Sequence, residues 1–225
     1  MDHDVLRQAP LFSALDDEAA AALRASMTDT PLRRGEVLFR EGDSGDRLYI
    51  VLDGKVKLGR TSADGRENLL AILGPGQMFG ELSLFDPGPR SATVTAVTDA
   101  TFASLSHEDL LRWLEGRPVV ARGLLTQLAG RLRKANDVVA DLVFSDVPGR
   151  VAKALLDLAN RFGRTADDGV HVHHDLTQEE LAQLVGASRE TVNKALADFA
   201  SRGWLRLEPR SVVIMDVERL ARRAR

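Results

Sequence analysis

The segment Gly80 to Thr93, GELSLFDPGPRSAT, sets a carboxylate, Glu81, and a guanidinium, Arg90, on either side of two prolines, with Ser91 and Thr93 directly after them. A carboxylate accepts hydrogen bonds from hydroxyl groups, and an arginine fork grips an oxyanion through two parallel N–H bonds. Two arrangements suit such a pair. One is a surface salt bridge, which is worth little. The other is two halves of one polar ligand site. The pair by itself leaves both open. Gly80 admits a close backbone approach. The segment contains no base–nucleophile pair and no metal-ligand set, so the expectation is binding without turnover rather than an enzyme.

A second constellation lies near the C-terminus, in LTQEELAQLVGASRETVNKALADFASRGWLRLEPRSVVIMD. Thr177-Gln-Glu-Glu180 is a capping box, with a helix running from it to Val185. Gly186-Ala187-Ser188 is a tight turn, and Ser188 caps a second helix from Arg189 to Ser201 that Gly203 ends. Ala182 is small where the two helices must approach, Gly186 allows a left-handed turn, and Val192 is apolar where they pack. These are the demands of a helix-turn-helix. The second helix exposes Arg189, Glu190 and Lys194, with Ser188 and Thr191 beside them. Arginine can bond guanine bidentately, glutamate can accept from a cytosine amino group, and Ser, Thr and Lys suit phosphates or further bases. WLRLEPRSVVIM reads as a two-stranded wing that turns near Glu208-Pro209-Arg210. His171-Val-His173-His174 invites a zinc reading, but with no cysteine and no further ligand in the pattern it is read as a strand or loop before the helix-turn-helix, and no metal is expected.

The elements that must position these groups change character along the chain. Residues 4 to 27 read as helical, with Asp16-Asp17-Glu18 suited to a first turn. Short apolar runs follow: Val37 to Phe39, Leu48 to Leu52, Val56 to Leu58, Leu69 to Leu73, Ala92 to Val97 and Thr101 to Leu105. Glycines punctuate them, and Asp53-Gly54 and Asp64-Gly65 are hairpin signals. The spacing predicts an antiparallel barrel or jelly-roll-like sandwich. His107-Glu108-Asp109 opens a short helix and Pro118 a long one. On the long helix Leu125, Leu128, Leu132, Ala135, Val139 and Leu142 recur at spacings of 3, 4, 3, 4 and 3, a seam suited to a two-stranded homodimer helix. Asp146-Val147-Pro148-Gly149 breaks that helix and marks a domain boundary. Arg150 to Phe162 is a second amphipathic helix, and residues 163 to 169 read as a loop. The fold class is α+β, with domains at residues 1–117, 118–145 and 146–225.

Composition bounds the rest. The 225 residues are 44% hydrophobic and 28% charged, with no cysteine, which excludes disulfides, thiolate-held clusters and cysteine nucleophiles. No apolar run reaches transmembrane length, and MDHDVLRQAP lacks the order of a signal peptide, so a cytoplasmic protein is expected. From Val147 onward 13 Lys/Arg face 11 Asp/Glu, against 17 and 22 before it, a mild asymmetry that permits nucleic-acid contact at the C-terminal end.

From about Leu11 to the C-terminus the chain resembles the cyclic-AMP receptor protein / fumarate–nitrate regulator family of bacterial transcription factors. The resemblance is carried by Gly80 to Thr93 and by DVPGRVAK and VGASRETVNKAL, and it is most like the actinobacterial cyclic-AMP receptor branch. It implies an N-terminal cyclic-nucleotide-binding β-roll, a dimerisation helix and a C-terminal winged helix. The ligand it implies is cyclic AMP, with Arg90 and Ser91 on the phosphate and Glu81 on the ribose 2′-hydroxyl. Gly80, Leu82 and Ser83 would make close backbone or apolar contacts, and Leu70 and Ala71 would line the pocket. The positions matching the adenine contacts are Ala135, which has no hydrogen-bonding side chain, and Asn136, which offers a donor and an acceptor. Cyclic GMP, or regulation without a ligand, is the alternative. The resemblance further implies a palindrome with TGTGA-like half-sites, read by Arg189, Glu190 and Lys194 with Thr177, Gln178, Ser188 and Thr191 among the DNA contacts. RNA polymerase is an expected partner, and no membrane is.

Overall fold

Alternation along a central strand organises the N-terminal part of the chain. In β3 (Arg47–Asp53), Leu48, Ile50 and Leu52 point to one face, while Tyr49 and Val51 point to the other. The first set packs with buried residues of the helices α1 (Asp2–Gln8), α2 (Asp17–Ala25), α4 (His107–Leu114) and the start of α5 (Pro118–Phe144). The second set faces the interior between two sheets, where Val51, Val56, Leu73, Phe79, Val94 and Phe102 meet. Period-two burial on both faces is what a strand covered by helices on one side and by a second sheet on the other requires.

One sheet has the order β1 (Thr28–Leu32), β8 (Ala100–Ser106), β3, β6 (Met78–Phe79); the other has β2 (Val37–Phe39), β7 (Thr93–Ala96), β4 (Val56–Thr61), β5 (Glu67–Leu73), and the short helix α3 (Leu82–Phe85) lies between β6 and β7. The pairs run antiparallel, with Thr28 opposite Ser104, Ile50 opposite Ala103 and Leu58 opposite Val94. The computed structural model describes residues 2–9, 11–12, 15–65, 67–86 and 88–224.

The expected antiparallel double-sheet architecture is present, with local differences. The helix expected over residues 4–27 is two helices, because the Asp16 carboxylate accepts from the Ala19 amide at 2.8 Å and starts α2 afresh. Pro10, Ser13 and Ala14, inside that expected span, lie outside the described residues. Asp53-Gly54 is not a hairpin. β3 and β4 lie in different sheets, and a Cβ on Gly54 would come within 2.1 Å of the Asp99 carbonyl, so this turn carries the chain from one sheet to the other. Asp64-Gly65 does join sheet neighbours, β4 and β5. β1 and β6 were not foreseen; β1 contains Pro31 and no apolar run, and β6 is two residues long.

α5 runs unbroken from Pro118 to Phe144, and Leu125, Leu132, Val139 and Leu142 are each more than half exposed along it. The break falls at Ser145-Asp146. Pro148 and Gly149, expected to lie in the break, instead sit in the first turn of α6 (Val147–Phe162), where a missing proline N–H costs nothing. Residues 163–169, expected as a loop, form β9 (Gly163–Ala166) and the turn into β10 (Gly169–His173). The helix-turn-helix is α7 (Gln178–Val185) and α8 (Arg189–Ser201). The wing strands β11 (Leu205–Glu208) and β12 (Ser211–Ile214) continue into the earlier hairpin as one sheet of order β11-β12-β10-β9. A final helix, α9 (Val217–Arg223), was not foreseen; Asp216 caps it and Leu220 is fully buried. The chain divides into two compact units, residues 1–60 with 70–134 and residues 61–69 with 135–225.

Candidate functional site

In the first unit the chain leaves β6 at Gly80, whose φ of +81° only glycine adopts without strain. A Cβ there would also lie 2.8 Å from an Arg90 Nη and 3.0 Å from the Arg47 carbonyl. Gly80 therefore leaves room for Arg90 to reach under the turn. Arg90 is fixed from several directions. Its amide donates to the Asp43 carbonyl at 2.7 Å, and its carbonyl accepts from the Gly42 amide at 2.9 Å. One Nη donates to the carbonyls of Arg47 and Gly80, both at 2.9 Å. The guanidinium lies over the Phe39 ring, 4.2 Å from its centroid, a favourable cation–π geometry. Burial pushes the Arg90 pKa down and the Tyr49 pKa up, yet a guanidinium remains charged at neutral pH.

Glu81 is 1% exposed and Arg90 4% exposed, so they are not a surface salt bridge. Among the described residues the ion pair of Glu81 is with Arg131 of α5, at 2.5 Å; the same guanidinium donates to the Met78 carbonyl. One Glu81 oxygen is thereby satisfied. Among the described residues the other, Oε2, is buried without a hydrogen-bond partner, and so is Arg90 Nε. A buried charged group with an unmet hydrogen bond is costly and calls for an explanation. Both residues border the same cavity of about 60 Å³, with Phe39, Phe79, Gly80, Leu82, Ser83, Ser91 and Arg131 also on its wall.

Of the residues expected at a ligand site, Gly80, Glu81, Leu82, Ser83, Arg90 and Ser91 are brought together on this wall. Leu70 and Ala71 lie on β5, Leu70 half exposed and Ala71 packed against the inter-sheet core, and neither borders the cavity. Ala135 and Asn136 are exposed positions on α5. Three contributors went unrecognised in the sequence. Arg131 reads there only as a charge flanking an apolar seam. Phe39 reads as the end of a strand. Gly45 reads as punctuation, yet a Cβ on it would lie 2.6 Å from Ser83 Oγ and 2.7 Å from Arg90 Nε. No local pattern marks any of them, because each arrives from a distant segment.

In the second unit the capping box is formed. The Thr177 hydroxyl accepts from the Glu180 amide at 3.1 Å, and the Glu180 carboxylate accepts from the Thr177 amide at 2.8 Å. Gly186 adopts the left-handed conformation, and Arg150 Nε donates to the adjacent Val185 carbonyl at 3.1 Å. Ala182, Val192, Ala195 and Phe199 are buried in the helix packing. Ser188 caps α8 through the Thr191 amide at 3.2 Å, and the two hydroxyls lie 2.8 Å apart. Thr177, Gln178, Ser188, Arg189, Glu190, Thr191 and Lys194 are all exposed, and Glu190 pairs with Lys194 at 2.8 Å. His171 is on β10 and hydrogen-bonds Asp168 at 2.6 Å. Among the described residues no His, Cys, Asp and Glu group could hold a metal ion, and no helix is long and apolar enough to cross a membrane.

Comparison with known proteins agrees with this division. Residues 30–117 match the cyclic nucleotide-binding domain, and residues 149–223 match the Crp-like helix-turn-helix domain. The chain is 56% identical over 222 residues, 99% of each chain, to the CRP-like cAMP-activated global transcriptional regulator of Mycobacterium tuberculosis. The solved catabolite activator protein of Thermus thermophilus is 38% identical over 96% of this chain and 98% of its own, with a TM-score of 0.57. The c-di-GMP responsive global regulator CLP of Xanthomonas campestris is 26% identical over 88% of this chain and 99% of its own, with a TM-score of 0.76. The chain therefore belongs to the cyclic-AMP receptor protein family of DNA-binding transcription regulators, on the actinobacterial branch that includes the mycobacterial regulator.

Proposed function

We propose that this chain is a cyclic-AMP-responsive, sequence-specific regulator that acts as a homodimer on a palindromic, TGTGA-like site. The observation that carries the reading is the pair of orphaned polar atoms, Glu81 Oε2 and Arg90 Nε, on the wall of one cavity. A cyclic nucleotide supplies what each lacks. Its single phosphate charge suits Arg90 with the Ser91 hydroxyl, and its ribose 2′-hydroxyl is a donor for Glu81. The Phe39 ring under Arg90 keeps the guanidinium oriented without consuming its donors. Arg131 shares Glu81, so an entering sugar hydroxyl either joins or displaces that ion pair. The cavity is smaller than the roughly 300–1,000 Å³ of ordinary ligand pockets, and Arg131 is the long side chain on its wall with room to move, being 37% exposed.

The homodimer rests on the apolar seam of α5, whose exposed Leu125, Leu132, Val139 and Leu142 need a partner surface. A two-fold dimer presents two α8 helices, which suits half-sites about 34 Å apart. Arg189, Glu190 and Lys194 are the base readers, and the hydroxyls of Ser188 and Thr191 lie beside them.

The deciding experiment measures affinity for a palindromic duplex with and without cyclic AMP at fixed salt. The expected result is tighter binding with the nucleotide, and equal affinities would mean that DNA binding is not ligand-gated. A second reading has cyclic GMP as effector. It is favoured by Ala135, whose side chain offers no hydrogen bond at a position matched to base recognition. Parallel calorimetric titrations with the two cyclic mononucleotides separate them.

A further inference from the structure

We propose that the C-terminal helix α9 is a strap on the break between α5 and α6, with Arg223 as its positioning residue, and that this strap tunes how strongly ligand binding changes DNA affinity. The regulatory part rests on the function proposed above. The strap itself does not.

The contact is specific. Asp146 is the N-cap of α6, and one of its carboxylate oxygens accepts from the Gly149 amide at 2.9 Å. The other accepts from Arg223 Nη2 at 2.5 Å. One carboxylate thus serves the first turn of α6 and the last turn of α9 at once. Its pKa is lowered, first by the Arg223 hydrogen bond and then by the Gly149 amide. The backbones are close as well. A Cβ on Gly149 would lie 3.0 Å from Asp146 Oδ1, 3.3 Å from the Arg223 carbonyl and 3.4 Å from an Arg223 Nη, so the end of α9 runs close against the first turn of α6. α9 is itself anchored: Asp216 caps it through the Arg219 amide at 2.9 Å, and Leu220 is fully buried. The strap therefore has one end in the core and the other on the cap.

The break carries two further ties. Lys153 of α6 pairs with Asp141 of α5 at 2.6 Å, and Arg150 Nη1 donates to the Ser145 carbonyl at 2.7 Å. Both of those ties connect residues within the α5–α6 corner or next to it. Arg223 is different, because it brings in an element 77 positions away. It exerts its effect through Asp146, so it positions the turn rather than touching nucleotide or DNA.

The test uses the full-length chain and the variant Arg223→Gln, which keeps size and polarity and removes the charge. Arg223→Lys is the conservative control. Hydrogen–deuterium exchange should rise selectively in the peptide spanning residues 145–150 of Arg223→Gln, with Arg223→Lys in between and the melting temperature little changed. The ratio of DNA affinities with and without cyclic AMP should shift by about threefold or more. Unchanged exchange at 145–150 overturns the strap. Raised exchange with an unchanged ratio overturns its regulatory role and leaves a structural ion pair. If the wild-type chain itself shows no ratio, the proposed ligand gating fails, while the exchange measurement still decides the strap.

Discussion

In the pocket, Glu81 and Arg90 are buried and each keeps one polar atom without a hydrogen-bond partner among the described residues. On the recognition helix, Glu190 and Lys194 have side chains 78% and 74% exposed and bond each other. The two regions hold the same kinds of charge for different uses. A buried unmet donor or acceptor is tolerable only if something small and polar completes it, because water cannot do so freely there. An exposed, mutually satisfied pair costs little to hold and little to re-pair, which suits the proposed role of α8 at the edges of bases. The pocket is also assembled from segments far apart in the chain: Phe39, Gly45, the 80–91 stretch and Arg131. The reading head is local, complete between Thr177 and Ser201.

The largest expected effect breaks the pocket side of this contrast. Arg90→Ala removes a buried charged fork, worth about 3 kcal/mol or more, so cyclic-AMP affinity should fall about a hundredfold or further by calorimetry. A change below threefold would remove Arg90 from the phosphate role. Glu190→Ala tests the head. It should relax base preference at one position of the half-site by about 1–3 kcal/mol when a panel of duplexes is compared, whereas a uniform loss across the panel would make Glu190 an electrostatic bystander. Ser188→Ala sharpens the claim that the head is built from local bonds. The lost cap should cost about 1 kcal/mol in denaturant unfolding and leave nucleotide affinity unchanged.

The smallest effect concerns the surface network beside the wing. The Asp168 carboxyl is lowered from 3.8 to about 2, first by the hydrogen bond from His171 and then by Arg206. A folded-state pKa below the unfolded value gives stabilisation that is present above about pH 4 and is lost as pH falls toward 2. His171→Gln combined with Arg206→Gln should bring the Asp168 titration, followed by NMR, back toward 3.8. A titration that stays near 2 would assign the shift to another cause.

Legibility followed the range of the interactions. The capping box, the left-handed Gly186 and the Ser188 cap are all satisfied within a few residues, so composition alone placed α7 and α8 to within a residue. The strands with continuous apolar runs, β2 through β5, were equally plain. β1 was hidden because its side chains are mostly exposed and its partner residues on β8 lie 68 to 76 positions later. Asp53-Gly54 looked like a hairpin because the dipeptide states only that φ is positive, not which strand comes next to which. α9 was missed because a short helix with a single buried anchor, Leu220, has too little period to read.

By itself the sequence determined the helix-turn-helix, the strands with apolar runs, the apolar seam on α5, and the grouping of Glu81 with Arg90 and Ser91. Each is a pattern of residues near one another in the chain, and short-range caps, turns and periodicities are encoded where they act. Only the tertiary structure decided that Glu81 answers to Arg131 rather than Arg90, that Gly45 clears space for Ser83 and Arg90, and that Arg223 reaches Asp146. Those contacts are made by chain closure over tens of residues, and a side chain carries no local mark of the partner that folding will bring to it.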